Sequence, residues 1–218
     1  MKTGILFDLD GTLWDSSSQV AASWNQVLCS CEDCSERMTT QRIQSLMGKR
    51  MEEIAELIFK DVCPERRTEL MRACCVHENS YLRETGGLLY PALEQTLAQL
   101  CDHYQLMIVS NCQDGYIETF LEHYQFGRYF SDWECSGRTG RCKGDNIVSV
   151  IKRNQLKHSF YVGDTGGDAE AAQRAGIPFV FAAYGFGQVE APRYRIEQLQ
   201  ELPAVAEAIF AQGGCTFD

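Results

Sequence analysis

From Gln105 onward, short apolar runs alternate with amphipathic ones, and no other feature restricts the fold of this chain as tightly. "QLMIVS" (105–110), "YFSDWEC" (129–135), "SFYVGD" (159–164) and "PFVFAAYG" (178–185) have strand length and are rich in β-branched and aromatic residues. Between and after them, "QDGYIETFLEHYQF", "KGDNIVSVIKRN", "DAEAAQRAG" and "LPAVAEAIFAQ" repeat apolar residues every three or four positions, and the third closes on a glycine cap. Strands that alternate regularly with helices pair in parallel, because each return crossing runs through a helix that covers one face of the sheet. The expected fold class is α/β, a doubly wound parallel sheet.

The first half departs from this rhythm. Residues 3–9 read as one short buried strand, but from about Asp15 to Thr85 every segment is helical: "SSSQVAASWNQVLCSC", "TTQRIQSLMG", "RMEEIAELIFKDV" and "PERRTELMRACCVHENSYLRE". Ser16 and Thr39 stand where N-caps belong. Gly86-Gly87 breaks the pattern, and Pro91 is expected to open the helix "PALEQTLAQLCDHY". The layout is therefore a Rossmann-like core of residues 1–14 and 88–218, with an all-helical insert of residues 15–87.

Composition narrows the function. A formal net charge of −10 argues against a nucleic-acid backbone as partner. No apolar run has membrane-spanning length, and the apolar stretch after Lys2 meets Asp8 too soon for a secretion signal, so a cytoplasmic protein is expected, a monomer or weak homodimer. Eleven cysteines, an odd number, do not suggest a disulfide framework. Cys29, Cys31 and Cys34 lack the matching second pair of a structural zinc site, and reduced thiols are the expectation. His77, His103, His123 and His158 are read as helix or loop residues away from any site.

In such sheets ligands gather at the carboxyl ends of the strands. The first strand runs into Asp8-Leu9-Asp10-Gly11-Thr12, "LMIVS" ends in Ser110-Asn111, and "FYVGD" ends in Asp164, with Asp168 four residues on; Lys143 opens a helix. Clustered carboxylates repel one another unless a cation sits among them, and a set of oxygen donors suits Mg²⁺. One carboxylate can serve as nucleophile, and a second, two residues on, as general acid and base.

D-x-D-G-T at Asp8, Asp10 and Thr12, followed by Ser110, Lys143 and "GDTGGD" (163–168), resembles the four ordered motifs of the haloacid dehalogenase superfamily. The helical insert after the first motif is similar to the C1-type cap of its phosphoglycolate phosphatase-like branch. The resemblance implies a Mg²⁺-dependent phosphatase acting on a small-molecule phosphate ester through an aspartyl-phosphate. Asp8 would be nucleophile and metal ligand, and Asp10 general acid/base with its backbone carbonyl on the metal. Asp164 would ligate Mg²⁺, and Asp168 would support the coordination or hold Lys143. Ser110, Asn111, Lys143 and Thr12 would bind phosphate, and Thr12 would also orient the aspartate loop. Arg141 rivals Lys143, because Gly144 replaces the proline that often follows the lysine; Pro91-Ala92 likewise replaces a frequent Pro-Gly hinge. A β-phosphoglucomutase-like sugar-phosphate mutase and a catalytically silent binding module are the alternatives. In the insert, Lys49 and Arg50 of "MGKR" are candidates for a substrate anion, Trp14 and Trp24 for the entrance, and "YGFG" (184–187) for a loop at the rim.

Overall fold

The computed structural model describes residues 2–32 and 34–211. The chain opens with strand β1 (Thr3–Phe7), a two-residue strand β2 (Trp14–Asp15), and four helices: α1 (Ser17–Leu28), α2 (Thr40–Gln44), α3 (Met51–Ile58) and α4 (Pro64–Thr85). It returns through β3 (Leu88–Leu89) and then alternates: α5 (Leu93–Cys101), β4 (Gln105–Ser110), α6 (Tyr116–Tyr124), β5 (Phe130–Cys135), α7 (Ser136–Thr139), α8 (Lys143–Asn154), β6 (His158–Gly163), α9 (Gly166–Ala175), β7 (Phe179–Ala182), β8 (Tyr194–Ile196) and α10 (Leu202–Ala211). Gln212, the last residue of the helix read from the sequence, lies outside the described residues.

Six strands pair in parallel in the order β5-β4-β1-β6-β7-β8. The α/β sheet expected from the sequence is therefore present, and β1 sits where the winding reverses. Side chains alternate between two covered faces. Ile5, Phe7, Leu106, Ile108, Phe160 and Val162 belong to one core cluster, whereas Leu6, Met107, Val109 and Tyr161 pack against α8 and α9 in the other. Burial on both faces is why these strands read as continuous apolar runs rather than alternating ones.

The helices α1 to α4 leave and re-enter the sheet through a small antiparallel ribbon, Trp14 opposite Leu89 and Asp15 opposite Leu88. Trp14 is fully buried, edge-on to Tyr116, Phe120 and Tyr124, which places it in the core rather than at an entrance. Thr39 caps α2 as expected, its hydroxyl accepting from the Arg42 N–H at 3.1 Å. Ser16 precedes α1 but turns its hydroxyl to the site described below instead.

Three readings are corrected by the fold. Pro91 does not open α5: the helix starts at Leu93, after a turn in which Ala92 takes φ 58°, the left-handed conformation a glycine would adopt freely. The Pro-Gly-like turn thus persists with alanine in it. His158 is the first residue of strand β6, not a helix or loop residue. The sequence reading also had no β2, β3, α7 or β8, which span two to four residues each, too short to show a period.

Candidate active site

The carboxyl ends of β4, β1 and β6 lie side by side and deliver the predicted residues to one place. The Asp8 N–H continues the ladder by donating to Val162 at 2.8 Å, which fixes the first carboxylate at the end of β1. The chain then turns tightly: Leu13 and Gly11 donate to Leu9 and Trp14, at 2.8 and 2.9 Å. Gly11 has φ 80°, and a Cβ there would stand 2.2 Å from the Asp164 carboxylate. Only glycine allows the β1 and β6 ends to approach this closely.

Asp8, Asp164 and Asp168 bring one carboxylate oxygen each within 4.8 Å of one another, all buried. Lys143, at the start of α8 and itself buried, reaches Asp8 at 2.9 Å and Asp168 at 2.6 Å. Arg141, by contrast, is exposed and points to Ser149 at 3.5 Å, so the cation that the fold brings to the site is Lys143.

The partners of each carboxylate separate their capacities. Asp168 has none to spare: Oδ1 takes Lys143, and Oδ2 accepts from the N–H groups of Asp164 and Thr165 at 3.2 and 3.0 Å and from the Thr165 hydroxyl at 2.7 Å. With Thr165 it forms the capping box of α9, so one residue closes a helix and anchors the lysine. Asp164 differs, because Oδ2 accepts from the Phe186 N–H at 2.7 Å while Oδ1 is buried with no partner among the described residues. The Asp10 side chain is turned away from the triplet and accepts from Ser16 at 2.6 Å and Tyr116 at 2.9 Å.

The electrostatics of the group are those of too little positive charge. Burial raises the Asp8 carboxyl to about 6, with Lys143 pulling it back and Asp168 pushing it further. Burial likewise lifts Asp10 to about 7 against the Ser16 and Tyr116 hydrogen bonds, and Asp164 to about 8, helped by Asp168 and Asp8. For Lys143 burial works the other way, but Asp168 and Asp8 outweigh it and hold the ammonium above its ordinary value. An orphaned buried carboxylate oxygen beside a second raised carboxyl, in an all-oxygen donor set, fits a hard divalent cation such as Mg²⁺.

Above the acids lies a narrow cleft, partly open to solvent, lined by Asp8, Asp10, Ser110 and Asn111 from the sheet ends and by Trp24, Met47, Gly48 and Lys49 from the helical insert. The Asn111 amide donates to the Gly48 carbonyl at 2.8 Å and accepts from Ser136 at 2.8 Å. Lys49 is exposed at the rim, and Arg50, half-buried, reaches Glu52 and the Gly140 carbonyl at 3.5 Å each. Thr12 is fully buried behind the aspartate loop, where its carbonyl accepts from the Tyr184 hydroxyl at 2.9 Å. The 184–187 segment is thus packed against the back of the site through Tyr184 and Phe186.

Several participants were missed by the sequence reading. Ser16 and Tyr116, the donors to Asp10, come from chain segments 100 residues apart and carry no motif. Glu78 on α4 lines the cleft and is 3% exposed. A signal for it existed: Leu70, Cys74, Glu78 and Leu82 form one buried stripe of α4, and a carboxylate on an apolar stripe is a residue to explain.

Known proteins resemble this chain in sequence and in fold. The sequence model of the haloacid dehalogenase-like hydrolases matches residues 5–182. The phosphoglycolate phosphatase of Aquifex aeolicus is 29% identical over 188 residues, spanning 84% of this chain and 85% of that one. The phosphoglycolate phosphatase of Escherichia coli K12 is 26% identical over 211 residues, 86% of this chain and 84% of its own. Among solved structures, a haloacid dehalogenase-like hydrolase from Streptococcus pneumoniae shares the fold, with TM-score 0.78 at 22% identity over 94% of this chain and 98% of that one.

Proposed function

We infer the reaction from one premise: this chain belongs to the haloacid dehalogenase-like hydrolase family and is a phosphatase. Its substrate is a small-molecule phosphomonoester, and the reaction passes through an aspartyl-phosphate on Asp8. The observation that carries this reading is the division between the two aspartates of the first motif. Asp8 faces Lys143 within the buried acidic triplet, while Asp10 is held apart by Ser16 and Tyr116 with a carboxyl raised to about 7.

In the first step an Asp8 oxygen attacks phosphorus as the bond to the ester oxygen breaks, and the Asp10 proton goes to the departing alkoxide. In the second, water attacks the same phosphorus, Asp10 takes its proton, and the bond to Asp8 breaks to release inorganic phosphate and the free carboxylate. A carboxyl near 7 suits both halves, because it is protonated for the first and readily unloaded for the second. Ser110 and the Asn111 backbone hold phosphate oxygens at the end of β4, and Lys143 offsets charge on Asp8 and the phosphate. Asp168 positions that lysine. Mg²⁺ would be held by Asp8, Asp164 and the Asp10 carbonyl and would supply the remaining positive charge that two approaching anions require.

Residues 15–87 act as a cap over the core of residues 1–14 and 88–218, closing on substrate and excluding water. The Asn111–Gly48 hydrogen bond and the shared lining of the cleft support this role, with Lys49 and Arg50 of the same loop meeting substrate at the rim. The test is phosphate release from simple phosphate esters with and without Mg²⁺, beside Asp8→Asn. Turnover that requires the metal, with a hydroxylamine-sensitive phosphoryl label that Asp8→Asn abolishes, is the expected result. Turnover that survives Asp8→Asn would remove the covalent mechanism.

A further inference from the structure

One buried polar group on the insert side of the cleft, Glu78, has no use in the chemistry above. Glu78 accepts from the Trp24 indole N–H through Oε2 and from the Gln113 amide at 3.2 Å through Oε1. Both donors are neutral. The charge that acts on Glu78, that of Asp10, repels it. A carboxylate so placed is a poor choice for stability, since a packed apolar side chain on the same stripe of α4 would avoid its desolvation.

Gln113 adds an independent observation. Its nitrogen donates to Glu78 and, at 3.0 Å, to the Asn79 side chain, which fixes the amide orientation. Its oxygen is left buried, with no partner among the described residues, and the residue lines the same cleft at 8% exposure. Glu78 therefore has two neutral donors but no positive charge, and the Gln113 oxygen across from it has no donor among the described residues. The rest of the insert wall is apolar: Val20, Trp24, Ile43, Leu46, Met51 and Ile54. Lys49 does not fill the gap, because it is exposed and lines the open cleft outside as well.

We propose that Glu78 and Gln113 form an ammonium subsite, and that the preferred substrate is the phosphate ester of a small amino alcohol. An ammonium carries three donors and no acceptor, which answers the Glu78 carboxylate and the Gln113 oxygen together. The short alkyl stem of such an alcohol lies on the apolar wall, and its ester oxygen falls to Asp10. A leaving group that carries a carboxylate in the same place finds no positive charge there and is disfavoured against the ammonium. This selectivity rests on the Asp8 and Asp10 reading of the reaction.

The experiment compares kcat/KM for four near-isosteric esters: O-phosphoethanolamine, n-propyl phosphate, 2-hydroxyethyl phosphate and 2-phosphoglycolate, with Mg²⁺, for the wild type and Glu78→Gln. The expected result is a preference for the amine over the propyl ester on the order of 10²-fold, as for a buried charge partner lost. In Glu78→Gln the amine-to-propyl ratio collapses to within about threefold, whatever the absolute rates. A second readout needs no variant: ethanolamine should inhibit propyl phosphate turnover by the wild type more strongly than n-propanol. Hydrolysis with the hydroxyl or carboxylate ester equal to or ahead of the amine overturns the ammonium subsite and leaves the phosphatase chemistry standing. A preference that persists in Glu78→Gln overturns the role of that residue. If no ester is turned over, the reading of Asp8 and Asp10 falls, and the subsite with it.

Discussion

Replacing Glu78 by Gln should make the protein less stable in acid and more stable in base, and the crossover can be worked from the site. Burial, resisted only by the Trp24 and Gln113 hydrogen bonds, raises the carboxyl from an ordinary 4.5 to about 8. The native state therefore keeps a proton that the unfolded chain releases. Stability changes with pH as the difference in protons bound, so the contribution is fully present below 4.5 and is lost as pH rises to about 8. At ~1.36 kcal/mol per pH unit the whole window corresponds to at most about 5 kcal/mol, less if the cleft opens locally to hydrate the charge. Glutamine stays neutral throughout. It keeps the Trp24 contact but sets its own amide against that of Gln113, a loss of about 1 kcal/mol at every pH. Urea denaturation of both proteins without metal at pH 5, 7 and 9 gives the difference directly. The expected sign is a slightly weaker variant at pH 5 and a variant stronger by several kcal/mol at pH 9. A difference that stays constant within about 0.5 kcal/mol across this range would falsify the reasoning, since Glu78 would then titrate as it does in water.

Other outcomes follow from neighbouring residues. Mg²⁺ at 100 times its Kd should stabilise the protein by about 2.7 kcal/mol, roughly 5–10 °C in Tm for a chain of this size, and Asp164→Asn should abolish that response. Calorimetry with Mg²⁺ against Na⁺ at equal ionic strength measures it. Lys143→Met leaves Asp8 and Asp168 buried without their ammonium and should cost about 3–5 kcal/mol, seen as a lower urea midpoint at pH 8. Ala92→Gly should stabilise by about 0.5–1 kcal/mol, because φ 58° strains alanine by ~1–2 kcal/mol and glycine returns part of that as unfolded-state entropy. No change or a loss on chemical denaturation would mean that the turn tolerates the methyl group.

Much of the fold was legible because its rules are local. Strands buried on both faces must be apolar throughout, and helices between them must present a stripe, so β4, α6, β5, α8, β6 and α9 could be read to within a few residues. The positions of Asp8, Ser110 and Asp164 were legible for a related reason: parallel strands point their carboxyl ends the same way, so residues that end strands must share an edge. The turn at Ala92 and strand β8 were not, since three residues in extended backbone, or one in a left-handed bend, leave no period to detect.

What the sequence by itself determined is the winding of the sheet and which acids stand at the carboxyl ends of its strands. The motif order supplies the residue types, and the alternation of elements supplies the edge. Tertiary structure alone decided how those acids differ. Asp168 is spent on Lys143 and the cap of α9, Asp164 keeps an oxygen free, and Asp10 is claimed by Ser16 and Tyr116. It also decided that Glu78, one polar residue on a long helix, is sealed into the cleft against Gln113 from the far side of the insertion. Partners and burial set the charge state of a carboxylate, and both come from chain segments that meet only when the molecule is folded.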